Sequence, residues 1–126
     1  LQPFKEYVMS LTINHQTNNI SSTSSTLAVT GAIVASGNVT AYSDERLKDN
    51  IETIEGALGK VETMRGVTFT KDGELSSGVI AQEIEQIAPE LVIDGDYKSV
   101  AYGNLVGYLI EAVKELSDKV KELEAR

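Results

Sequence analysis

Two patterns of apolar and polar positions divide this chain. YVMSLTIN (residues 7–14) alternates partly and carries β-branched side chains, which predicts extended backbone. TLAVTGAIVASGNVTAY (26–42) has short apolar runs punctuated by Gly31 and Gly37, and also reads as extended. HQTNNISSTSS (15–25), between them, is polar, turn-like and low in complexity. Beyond Ser43 the pattern changes. Leu47, Ile51, Ile54, Leu58 and Val61 fall on one face of a helical template, interrupted by Gly56 and Gly59, which predicts a short or broken helix. GVTFT (66–70), the turn KDGE (71–74) and SSGVI (76–80) predict a hairpin. AQEIEQIA (81–88) reads as a helix stopped by Pro89. LVIDGDYKSV (91–100) predicts a second hairpin centred on Asp94-Gly95.

The last 25 residues, from about 102 to 126, predict a long amphipathic helix. Leu105, Leu109, Ala112, Leu116, Val120 and Leu123 share one face, with charged residues elsewhere. Such a helix packs either on its own domain or on partner helices. The apolar stripe narrows after Leu116, which favours partner helices. The fold class is therefore α+β, a β-rich end followed by a small domain with two hairpins and a long C-terminal helix.

Side-chain size changes how the first part must be stabilised. Residues 1–42 are mostly Ala, Val, Thr, Ser and Gly. Each buries too little area to offset a backbone ordering cost of ~1–2 kcal/mol per residue. Strands of this kind are stable when identical chains wrap around one another, so residues 1–42 read as the end of an intertwined β-structured fibre. A β-rich fibre and a one-faced helix both leave apolar surface that a monomer cannot cover.

Charge follows the same division. The net charge is −8. Glu6 and Lys5 are the only charged residues before Ser43, so residues 43–126 carry the whole excess. A surface this acidic repels phosphate, which argues against nucleic-acid binding. No apolar run approaches the ~20 residues of a membrane span, and no basic leader precedes a hydrophobic stretch. Cysteine is absent, so there is no disulfide framework. The chain opens on Leu1 rather than Met, which predicts a piece of something longer.

Conventional catalytic sets are missing. His15 is the one histidine and reads as a solvated side chain. No Cys/His cluster has zinc spacing, no acid set has calcium-loop spacing, and no glycine loop cradles phosphate, so no cofactor is expected. Gln82 and Glu83 read as surface residues at a helix start, and Tyr97 and Tyr102 as packing anchors. Ser43 and Lys48 remain. Their plain reading is a helix cap followed by Asp44, Glu45 and Arg46, with Lys48 solvated. Their functional reading is a nucleophile and its general base. On an ideal helix five positions turn ~140°, so Ser43 would have to lie outside the helix to meet Lys48.

SDERLKDNI (43–51), GVIAQEIEQIAPELV (78–92) and the charged terminal helix, in that order, resemble the C-terminal intramolecular chaperone domain of bacteriophage tail fibres and tailspikes. This is the endosialidase-type, self-cleaving family, also found in the myelin regulatory factor. The resemblance spans residues 43–126. It implies a homotrimer whose chaperone domain trimerises and folds the upstream fibre segment of its own chain, then cuts itself off. The serine of the S-D motif and the lysine five residues on form the catalytic pair, here Ser43 and Lys48, with Tyr42–Ser43 as the scissile bond. It further implies a fibre end at 1–42 in the virion tail, a chaperone released in the host cytoplasm, and a host-surface receptor bound by the full-length fibre. A lysine of ordinary pKa, ~10.4, is a poor base at neutral pH, and Asp44, Glu45 and Asp49 favour its ammonium form. Burial in the assembled trimer would oppose them. The competing reading is a permanent, non-cleaving trimerisation clamp of a fibrous adhesin; a processed transcription-factor fragment fits the acidic, low-complexity surroundings poorly.

Overall fold

The computed structural model describes residues 11–126, so residues 7–10, the first half of the expected strand 7–14, and the charged pair Lys5 and Glu6 lie outside the described residues. The chain divides into two compact units, Leu1–Leu47 and Lys48–Arg126. Each is described by itself.

In the first unit, β1 (Leu11–Asn14) pairs antiparallel with β2 (Asn19–Ser22), Ile13 facing Ile20. The Asn14 side chain organises the turn, its Oδ1 accepting from the Gln16 N–H at 2.9 Å and the Thr17 N–H at 3.3 Å. β2 thus lies inside a stretch whose composition predicts only turn. Residues 26–42, expected to be extended, contain no paired strand. A strand is stabilised by its ladder partner, and this segment has none among the described residues. No described residue before Lys48 is buried. Leu11, Ile13, Ile20, Leu27, Val29, Ile33, Val34 and Val39 all face solvent.

The second unit has a real core. Its α1 (Ala57–Thr63) is shorter than the apolar stripe from Leu47 to Val61 suggests. Asn50 and Gly56 adopt positive φ, 53° and 67°, which no continuing right-handed helix tolerates. Residues 48–55 are therefore irregular, and Ile54 reaches the core from a loop. β3 (Val67–Lys71) and β4 (Glu74–Gly78) form the expected hairpin, closed by Asp72 and Gly73 at φ 52° and 81°. α2 (Ala81–Glu85) stops short of Pro89. The Ile87 and Ala88 N–H groups finish it by donating to the Ile84 carbonyl, and Pro89 opens a separate 3-10 turn, Pro89–Leu91.

β5 (Val92–Ile93) and β6 (Ser99–Val100) make the second hairpin, with a five-residue loop rather than a tight Asp94-Gly95 turn. Lys98 pins that loop by donating to Asp94 and, at 3.1 Å, to Glu85. A 3-10 turn (Tyr102–Asn104) leads into α3 (Leu105–Glu124). Among the described residues the architecture is α+β, with three two-stranded sheets and a long terminal helix.

Ile84, Ala88, Leu91 and Tyr108 form the buried centre, with Ile54, Val61, Met64, Val79, Val92 and Leu105 packed around it. Ala57 and Ala112 are also buried, and their small size lets α1 lie close on α3. Gly56 offers no side-chain cap, so Glu115 of α3 supplies one, accepting from the Leu58 N–H at 2.6 Å. The Tyr108 hydroxyl donates to Glu90, and burial is the main reason its pKa is pushed up to about 12.

Tyr102 joins the first hairpin to the start of α3. Its hydroxyl accepts from the Val79 N–H at 3.3 Å and occupies the space beside Gly78, where an added Cβ would lie 2.5 Å from it. Gly78→Ala must swing Tyr102 away and break that bond. The expected loss is ~1 kcal/mol, read from chemical unfolding, with Tyr102→Phe costing as much and the double variant little more than either. Tyr97, by contrast, is 91% exposed, so its expected role as a packing anchor is not met. It sits at the tip of the five-residue loop, beyond reach of the core.

Candidate functional site

The stretch around Ser43 is not α-helical. Residues 39–44 are irregular and lead into a single 3-10 turn, Glu45–Leu47. The ~140° separation that an ideal helix would impose on Ser43 and Lys48 therefore does not apply. Asp44 builds the turn. Its carbonyl accepts from the Leu47 N–H at 3.0 Å and its carboxylate from the Arg46 N–H at 2.8 Å. Arg46 then folds back and grips the same carboxylate through Nε at 3.0 Å and Nη2 at 2.8 Å.

This bidentate pair was not apparent from composition, although the D-x-R spacing at a turn is its signal. Arg46 holds the Asp44 carboxyl below the usual carboxylate range, chiefly through the side-chain hydrogen bond. The pair is exposed and contributes little stability. Its effect is electrostatic: the acid immediately after Ser43 already has a cation of its own. Tyr42, Asp44, Arg46 and Leu47 line a shallow hollow, and Tyr42 is almost wholly exposed. Ser43 closes the first unit's irregular segment, whereas Lys48 opens the second unit.

The other candidates fall elsewhere. His15 lies on the exposed turn between β1 and β2. Gln82 is exposed on α2. Glu83 accepts from Arg65 through Nε at 3.1 Å and Nη2 at 2.7 Å, tying α2 to the approach to β3. That ion pair gives Glu83 a structural occupation. Among the described residues no group of three metal-ligating side chains converges.

Ser43 stands directly after an exposed Tyr and just ahead of the turn Glu45–Leu47, and the second compact unit begins at Lys48. Residues 43–93 match the family described as chaperone of endosialidase. It is 37% identical over 102 residues to the long tail fiber protein Gp37 of Enterobacteria phage K3, and likewise to that of Enterobacteria phage T2. It is 32% identical over 96 residues to the Gp37 of Salmonella phage S16. The aligned regions cover 71% of this chain for the first two and 64% for the third. The chain spans only 8% of the length of the K3 and T2 proteins and 13% of the S16 protein.

Proposed function

We propose that residues 43–126 are an intramolecular chaperone that assembles three copies of the chain and folds the fibre end formed by residues 1–42. The chaperone then releases itself by cutting Tyr42–Ser43. One observation carries this reading. The family match starts at Ser43, and the described residues before it have no core of their own while those after it do. A segment with an exposed apolar hairpin face and unpaired extended backbone needs strands from other copies, and a folding module can bring those copies together.

The cut is a single turnover. The neutral Lys48 amine takes the Ser43 hydroxyl proton as Oγ attacks the Tyr42 carbonyl carbon. The tetrahedral adduct collapses by breaking the C–N bond, and the lysine returns the proton to the leaving Ser43 nitrogen. The resulting Tyr42 ester is hydrolysed by water to a carboxylate and a free serine hydroxyl. The fibre end stays in the virion tail as part of a longer fibre that binds a host-surface receptor. The chaperone stays behind in the host cytoplasm.

Three copies also fit the surface of α3. Val106, Leu109, Val113, Leu116, Val120 and Leu123 are spaced 3, 4, 3, 4 and 3 apart, and all are between 45% and 64% exposed. Val at one seam position and Leu at the other suits two strands when the seam is narrow. Ile110, 52% exposed, widens it, and a third helix covers what a two-helix seam leaves wet.

Intact mass of the freshly expressed chain tests the proposal. Cutting yields pieces of 42 and 84 residues, from Leu1–Tyr42 and Ser43–Arg126. One intact species from a folded trimer would instead establish a permanent clamp.

A further inference from the structure

Lys48 heads an irregular segment of the second unit, residues 48–55, that is neither helix nor strand. Every residue of it is exposed except Ile54, which packs on the core. The Ile54 Cδ1 reaches α3 at Gly107, 3.3 Å from where a Cβ on that glycine would stand. Gly107 is the third residue of α3, half-buried and next to buried Tyr108. Glycine is the poorest helix former after proline, so alanine would suit the helix better. A packing reason accounts for it. Even a methyl group there would crowd Ile54, and the bare backbone leaves a notch that the Ile54 methyl fills.

The next buried point toward the C-terminus is Ala57, at the start of α1. Gly56 turns the chain into that helix with φ 67°. On the other side of Ile54, residues 48–53 are exposed, and Asn50 bends them through φ 53°. Six positions separate Lys48 from Ile54, and nine separate it from Ala57. Tether length alone makes that difference small, since closing over nine residues rather than six dilutes the amine only about twofold. Orientation matters more, because a misplacement of about 1 Å can cost a reacting group ~10² in rate. A plug that sets direction as well as reach therefore outweighs the tether.

We infer that Ile54, seated in the Gly107 notch of α3, is a positioning residue for release: it anchors the segment that carries Lys48 and so aims the base. The inference rests on the reading of Lys48 as general base proposed above. It adds two residues, Ile54 and Gly107, that act through the lysine and not on the scissile bond. The anchor is a packing contact within the second unit, so it can be tested whether or not the chain cuts itself.

Ile54→Val on the full chain is the first test, because valine keeps the branched Cβ and lacks only the Cδ1 methyl that meets Gly107. A glutamate-specific protease, followed by mass spectrometry, is expected to nick the variant faster after exposed Glu52, with the control site at Glu122 in α3 unchanged. Self-cleavage, compared at the same oligomeric state, is expected to slow threefold or more, beyond the effect of a longer tether. Unchanged nicking after Glu52 overturns the anchor. Faster nicking with a smaller loss of self-cleavage overturns its part in aiming the base. A wild-type chain that never cuts itself would overturn the release proposed above, and with it that aim, while the protease still decides the anchor.

Gly107→Ala separates the notch from a general loosening. Alone it crowds the Ile54 methyl and is expected to slow self-cleavage, although alanine is the better helix former. Combined with Ile54→Val, its new Cβ stands toward the space the lost methyl leaves. The double variant is therefore expected to regain most of the cutting rate and most of the resistance after Glu52. Two changes that each harm and together repair are coupled through their contact, a pattern that lowered global stability does not imitate. A double variant that cuts no faster than Ile54→Val overturns Gly107 as the seat.

Discussion

Ser43→Ala is expected to yield one uncut polypeptide of 126 residues that still assembles. In the proposed mechanism the hydroxyl is the nucleophile, so its removal should end cleavage. The backbone turn after it should survive, because Asp44 supplies contacts to Arg46 and Leu47 that the substitution leaves in place. Lys48→Ala should slow cutting by about 10²–10⁴, the usual contribution of a positioned general base. Lys48→Arg should not rescue it, since guanidinium stays protonated and cannot accept the serine proton. In the wild type the rate should rise with pH, because only the neutral amine acts. The measurement is the fraction cut over time on a denaturing gel, for each variant at the same oligomeric state. Full cleavage in a Lys48→Arg oligomer would remove the lysine from the mechanism and leave an unassisted acyl shift at Ser43.

What the sequence made legible, and what it did not, follows from where the determinants lie. The Asp72-Gly73 hairpin was readable because a two-residue turn with positive φ at both positions is a local demand that few residue pairs meet. The stripe from Leu47 to Val61 misled for a related reason. Its spacing is helical, but Asn50 and Gly56 take left-handed backbone and break the helix that the spacing suggests. Residues 26–42 have strand-like composition without strand pairing, and pairing is a property of whatever lies alongside. The family match over residues 43–93 was readable from SDERLKDNI and GVIAQEIEQIAPELV. The grip of Arg46 on Asp44 was not, because it depends on the chain turning back at Glu45–Leu47.

The C-terminal helix shows the limit most clearly. It is apolar on two adjoining faces, so periodicity supports two seams equally well. One, expected from the sequence, contains Leu105 and Ala112. In the structure Ala112 is buried with Tyr108, and Leu105 packs on the core, so both belong to the domain. Val106 and Val113 take their places on the exposed seam. Only the position of α1 distinguishes the two faces, and that contact comes from residues about fifty positions away.

This correction sets up the second large effect. Val113→Asp places a carboxylate at the middle of the exposed seam, where the monomer leaves it in water. The domain should therefore fold unchanged, with wild-type helix content and an unaltered Leu91–Tyr108 core. Assembly should fail. Each chain forgoes ~1.5–3 kcal/mol of valine burial and would have to bury a charge, so three chains together lose at least about a thousandfold in association. Ala112→Asp should do the reverse, forcing a charge into the α1–α3 contact and unfolding the domain before assembly is at issue. Asp118→Ala, on the far side of the helix, should change neither. Sedimentation gives the oligomeric state and far-ultraviolet circular dichroism the folding. If subunit packing is what frees Lys48 to act as a base, the folded Val113→Asp monomer should also remain uncut. A monomer that cuts itself at the wild-type rate would show that Ser43 and Lys48 need no neighbour, and would separate the chemistry of release from the act of assembly.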